Sequence, residues 1–164
     1  MKALGILSGS LLCALALGCT NVDNKNSNTF IGSTFSVTVP DDWQVVAREG
    51  DNVPAFITLE TLDKSSTVTI STSFSEESIE TLCQDSAKEY INEGDDIITG
   101  PEVSFGTCNI NAQNGSKKGV WLRKYDDDNS VYKIEFKGDF DKITNLLSNT
   151  QGNEKYMSLF VRPI

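Results

Sequence analysis

The chain alternates between two hydrophobic periods, and the switch points predict its elements. Phe35, Val37 and Val39 alternate with Ser36 and Thr38, the pattern of a half-buried strand, and Pro40 ends it. Asp41-Asp42 open a turn before Trp43, and Gly50-Asp51-Asn52 form another. A second strand is expected over 55–62 and a third over 67–71, with Asp63-Lys64-Ser65-Ser66 turning one into the other. Ser73 and Glu76 have the spacing of a capping box. Ile79, Leu82, Cys83, Ala87, Tyr90 and Ile91 then recur at helical spacing, so a long helix is expected over about 76–93, stopped by Gly94.

Beyond it, Val103 and Phe105 occupy odd positions, whereas Cys108, Ile110 and Ala112 are even. A glycine bulge at Gly106 accounts for the slip and turns Cys108 inward, as Phe105 was. Asn114-Gly115 signals a hairpin turn; the same residues with Ser116 fit a glycosylation sequon. Strands follow over 120–125 and 131–136, joined by the acidic turn Asp126-Asp127-Asp128-Asn129. Asp139 caps a shorter helix, about 140–148, with Phe140, Ile143, Leu146 and Leu147 on one face. Residues 148–155 are polar, and 156–161 form a last apolar element whose type the pattern leaves open. The sum is an α+β chain: an α/β/α sandwich around a central, mainly antiparallel sheet of about six strands.

The start of the chain reads differently. Lys2 precedes an uncharged run from Ala3 to Gly18, shorter than the roughly 20 residues that span a bilayer, as in a secretory signal peptide. Leu15-Ala16-Leu17-Gly18-Cys19 resembles the lipobox of bacterial lipoproteins, with Ala16 and Leu17 in swapped order relative to the usual preference. The resemblance implies removal of residues 1–18 and acylation of Cys19. Thr20, where an Asp resembles an inner-membrane retention signal, leans towards the outer membrane, facing the periplasm, in a Gram-negative host. Residues 19–29 read as an Asn-rich tether, about 30 Å long if fully extended, and 30–164 as a single domain.

Composition narrows the chemistry. The formal net charge of −9 becomes about −10 without Lys2, which disfavours nucleic acids and anionic lipid, so membrane contact is expected through acyl chains alone. There is no histidine, which removes the commonest general base and metal ligand. Of four cysteines, Cys13 leaves with the leader and Cys19 is acylated. Cys83 and Cys108 remain as a disulfide pair in an oxidising envelope; two free buried thiols are the alternative. No catalytic residue, cofactor or metal site is expected: the 126–129 run lacks the Gly and Glu of a calcium loop, with Val131 and Lys137 in their places. Trp43, beside Asp41-Asp42, and Trp121 with Tyr125 are candidate binding-surface residues.

The stretch Phe35-Ser36-Val37-Thr38-Val39-Pro40-Asp41-Asp42-Trp43 resembles the F-x-V-x-x-P-x-x-W opening of the PsbP/Mog1-like superfamily, whose bacterial members include DcrB-like envelope lipoproteins. The resemblance covers roughly residues 30–148. It implies an α/β/α sandwich that serves as an assembly, accessory or binding module without a catalytic motif. The Cys83–Cys108 pair and residues 149–164 depart from that pattern. The expectation is a non-enzymatic, lipid-anchored envelope lipoprotein that binds an envelope protein partner. An envelope hydrolase using Asp or Glu, and a carrier of small apolar ligands, are the alternatives.

Overall fold

The structure, a computed structural model, describes residues 28–32, 34–49 and 55–152. Cys19, the leader, the Gly50-Asp51-Asn52 turn and the apolar segment 156–161 lie outside the described residues.

The fold is α+β. Strands β3 (Trp43–Glu49), β4 (Ala55–Thr61), β5 (Thr67–Phe74), β6 (Asp96–Ser104), β7 (Thr107–Asn114), β8 (Ser116–Lys124) and β9 (Ser130–Lys137) form one sheet in the order β3-β4-β5-β9-β8-β7-β6. All neighbouring pairs are antiparallel. A second, three-stranded sheet is built from β1 (Thr29–Ile31), β2 (Phe35–Thr38) and β10 (Thr150–Gly152), with β2 in the centre. Helix α1 (Ile79–Asn92) crosses from β5 to β6, and α2 (Phe140–Ser148) follows β9.

Side chains alternate across a strand, so the register assigns each residue a face. Trp121 stands opposite Ile134, while its neighbours Val120 and Leu122 stand opposite Glu135 and Lys133. Trp121 and Ile134 belong to one buried cluster; Val120 and Leu122 belong to another. The two cores therefore lie on opposite faces of one sheet. The larger joins Ile57, Leu59, Val68, Ile70, Tyr132 and Phe136 to Phe35 and Val37 of the small sheet and to Ile143, Leu146 and Leu147 of α2. The smaller joins Cys108, Ile110, Val120 and Leu122 to Cys83 and Ala87 of α1. Helix α1 packs on β6, β7 and β8 alone among strongly contacted strands.

Several local expectations differ from what the structure shows. The seventh strand of the main sheet is β3, an edge strand whose residues after Trp43 are all exposed, so it shows no hydrophobic alternation. The motif strand β2 sits in the small sheet. Thr29, at the end of the stretch read as tether, opens β1, and the polar Thr150–Gly152 pairs with β2. Helix α1 starts at Ile79: Ser78 is its cap, accepting from the Thr81 N–H at 3.2 Å, and Ser73 remains in β5. Ile91, placed on the apolar stripe by its spacing, is 59% exposed.

The expected bulge at Gly106 is a turn. Ser104 pairs with Thr107 and Val103 with Cys108, so Phe105-Gly106 close a hairpin. A two-residue loop reverses the chain and shifts the apolar phase as a bulge would. Phe105 points out, not in.

Candidate binding groove

Away from the central strands β9 and β8, which are buried on both faces, each half of the main sheet is covered on one face only. The small sheet and α2 cover β3-β4-β5-β9 on one side; α1 covers β8-β7-β6 on the other. On the side of the larger core, the bare part of β6 and β7 presents Thr99, Asn109, Asn111 and Gln113, each exposed or half-buried. Where this polar floor meets α2, a groove of about 670 Å³ opens. Thr99, Asn111 and Gln113 contribute its floor, Phe136 and Phe140 its aromatic edge, and Asp139 and Asp141 its acidic end.

Close approaches fix that geometry. Gly119 lies beneath Phe136: a Cβ there would run into the ring and into the Ile110 carbonyl, so glycine lets Phe136 lie over the strand. Phe136 and Phe140 meet edge to face, centroids 6.0 Å apart. Gly138, at φ 114°, presses the start of α2 onto Ser65 and Ser66, where any side chain would collide. Its N–H donates to the Lys117 carbonyl at 2.8 Å, and the Asp139 N–H donates to Ser66 Oγ at 2.9 Å. The Asp139 carboxylate then caps α2 by accepting from the Asp141 N–H at 2.9 Å. On the floor, Asn111 Nδ2 donates to Thr99 Oγ1 at 2.7 Å, leaving the amide oxygen for a ligand.

Two ion pairs flank the groove. Lys142 Nζ of α2 reaches Asp63 Oδ2 at 2.6 Å and Ser65 Oγ at 3.1 Å. Donation from Lys142, then from Ser65 and Thr61, holds the Asp63 carboxyl well below the usual range, and the same contact raises Lys142. Lys118 Nζ is 2.9 Å from Asp95 Oδ2, whose side chain is wholly buried, and this bond holds the lysine above its ordinary value. Tyr90 of α1, half-buried beside it, has its hydroxyl pushed up by burial first and by the nearby Glu135 and Asp95 carboxylates next.

The residues singled out from the sequence are not brought together as a surface. Trp43 is 5% exposed and Trp121 3% exposed, both in the larger core. Both are packing residues, where a binding platform needs an open face. Tyr125 is half-buried against the same core, with the Arg123 guanidinium 5.6 Å from its ring centroid. Cys83 and Cys108 stand with sulfurs at bonding distance, 2.02 Å, and Cα atoms 5.7 Å apart. The acidic run 126–129 is a hairpin turn in which Asp128 Oδ1 accepts from the Ser130 N–H at 3.0 Å. Among the described residues no three metal-ligating side chains come together, and no helix is long and apolar enough to cross a membrane.

The groove residues escaped sequence reasoning, although a signal was present. Asn109, Asn111 and Gln113 alternate with Cys108, Ile110 and Ala112. A strand with amides on one face and core on the other announces an uncovered polar surface.

No family model matches this chain, and no curated protein matches it. Solved structures similar to it include two from bacteria. A protein from Bacteroides thetaiotaomicron shares 15% identity at a TM-score of 0.44, over 77% of this chain and 48% of its own, so this chain spans about half the length of that protein. LpqN, involved in cell envelope biogenesis of Mycobacterium tuberculosis, shares 13% identity at a TM-score of 0.36, over 80% of this chain and 88% of its own. Both are too distant to carry an argument, and the functional reading rests on this chain's own residues.

Proposed function

We propose that this protein is a lipid-anchored, non-enzymatic accessory module of the bacterial envelope that binds another envelope protein. The observation that carries the reading is Cys19, placed directly after Gly18 at the end of an uncharged run that begins at Ala3. Acylation there supplies about 0.8 kcal/mol for each methylene buried in the bilayer, and two or more chains hold stably. The tether after Cys19 keeps the domain near the membrane and raises its effective concentration towards a partner there. Thr20 directs the proposal to the outer membrane, periplasmic side, in a Gram-negative host. A Cys83–Cys108 disulfide is the pairing that an oxidising envelope favours.

The groove supports binding over catalysis. Its floor of amides and a hydroxyl beside an aromatic edge suits holding a ligand, while of the carboxylates at its end Asp139 is engaged as the cap of α2. The relation to the PsbP/Mog1-like superfamily is part of the same proposal. Phe35, Val37 and Trp43 of the shared motif are all buried in the larger core, a role that suits a fold-defining motif.

Replacement of Cys19→Ser in the full chain tests the anchor. The variant is expected to leave the detergent phase on phase separation and to appear in the soluble envelope fraction. Continued membrane partition of the variant overturns the reading.

A further inference from the structure

The β6–β7 hairpin ends in a side chain that the fold does not use. Phe105 and Gly106 form its turn, with φ of 51° and 71°. Two successive positive φ values suit Asn-Gly or Asp-Gly, and a bulky aromatic is disfavoured there because its Cβ crowds the backbone. Among the described residues the other non-glycine positive-φ positions are Asn129 at 56° and Lys64 at 58°, both polar. Burial does not compensate, since Phe105 is 98% exposed. Nothing within the domain therefore offsets the backbone and hydration cost of an aromatic at this position.

Its surroundings say what kind. The register pairs Thr107 with Arg123, Lys124 with Val131 and Ser130 with Phe74. The tip therefore shares one end of the sheet with Phe74, itself 61% exposed, and with the acidic residues Glu76, Glu77, Asp126, Asp127 and Asp128. The five carboxylates outnumber the cations Arg123 and Lys124, whose side chains are held within the domain. Lys124 Nζ donates to the Glu77 carbonyl at 2.6 Å, and Arg123 lies over Tyr125. The rim is acidic on a chain whose formal net charge is −9. Such a rim repels anionic lipid headgroups and a second copy of itself alike.

We propose that Phe105 is an aromatic plug that docks into an apolar pocket bordered by Lys and Arg on another envelope protein. This deepens the binding role proposed above and rests on it.

The test uses the full-length chain in intact envelopes, with a benzophenone-bearing phenylalanine analogue at position 105, or at Lys64 in the exposed turn at the other end of the sheet. A protein crosslink at 105 and not at 64 is expected, mapping to apolar residues flanked by Lys or Arg. Its yield should fall at least fivefold between about 0.1 M and about 1 M salt. Phe105→Asn is expected to raise the domain's Tm by about 3 °C through the relieved turn, and to weaken binding to the mapped partner at least tenfold. Crosslinking to lipid, to a second copy, equally at 105 and 64, or at neither position overturns the proposal, as does wild-type binding by Phe105→Asn. Release of Cys19→Ser reads the anchor alone, so failure of the anchor and failure of the plug give different results.

Discussion

The two helices of this protein are held to the same sheet by different means. Helix α2 has nine residues and buries Ile143, Leu146 and Leu147. Helix α1 is longer, at 14 residues, yet its buried residues are Cys83, Ser86 and Ala87. Each large aliphatic is worth about 2 kcal/mol on burial, so α2 is secured by area alone. Small residues let α1 approach the sheet closely but remove little apolar surface from water. The Cys83–Cys108 link and the Lys118–Asp95 ion pair just beyond its C-terminal end supply what its packing lacks. A covalent bond thus stands where the large side chains of the helix stripe, Ile79, Leu82 and Tyr90, are only partly buried.

The comparison breaks hardest in the larger core. Leu146 is fully buried, and Leu146→Ala is expected to cost about 4 kcal/mol in urea unfolding, because α2 and the small sheet share its cavity. A loss under about 1 kcal/mol would mean that α2 is not held by burial.

Removal of the link by Cys83→Ala with Cys108→Ala comes next. The sequence separation of 25 residues gives about 3 kcal/mol in the chain-entropy model. Intact mass with alkylation should show no free thiol at either position in the unreduced wild-type domain. Two alkylatable thiols without reductant would remove the basis of the contrast.

Much of the larger core was legible in the sequence. β4 and β5 alternate strictly, and the α2 stripe with its Asp139 cap matched the observed Phe140–Ser148. Legibility fell where burial did not dictate the pattern. β3 is exposed beyond Trp43, and β10 is three residues held by backbone pairing with β2. Neither leaves a hydrophobic period. Phe105-Gly106 misled because a two-residue hairpin and a one-residue bulge shift the phase alike, and a Phe at positive φ gives no turn signal. Trp121 was ambiguous because Val120, Trp121 and Leu122 are all buried, one core behind each face. The groove is hard to read from sequence because its floor is a row of amides on one strand face, with no aromatic or catalytic motif.

Smaller effects sharpen the same contrast. The Tyr132 hydroxyl, fully buried, donates to the Thr34 carbonyl at 3.0 Å and ties the small sheet to the main one. Tyr132→Phe should cost about 1 kcal/mol by chemical denaturation and leave α1 untouched.

Asp63, exposed at the surface, should matter least. Its folded-state pKa is lowered by Lys142, so its contribution is present above the ordinary value of 3.8 and is lost as pH falls below it. The stability difference between wild type and Asp63→Asn should therefore be small near neutrality and shrink further below that pH. A difference that grows on acidification would reverse the sign and exclude the pair as its source.

Hydrogen exchange of the oxidised and reduced domain, resolved by segment, tests the central claim most directly. On reduction, amides of α1 should lose protection first and most, while those of α2 and of the β4-β5-β9 core keep theirs. Unchanged protection in α1, or equal loss in both helices, would contradict the account that one helix is held by a bond and the other by burial.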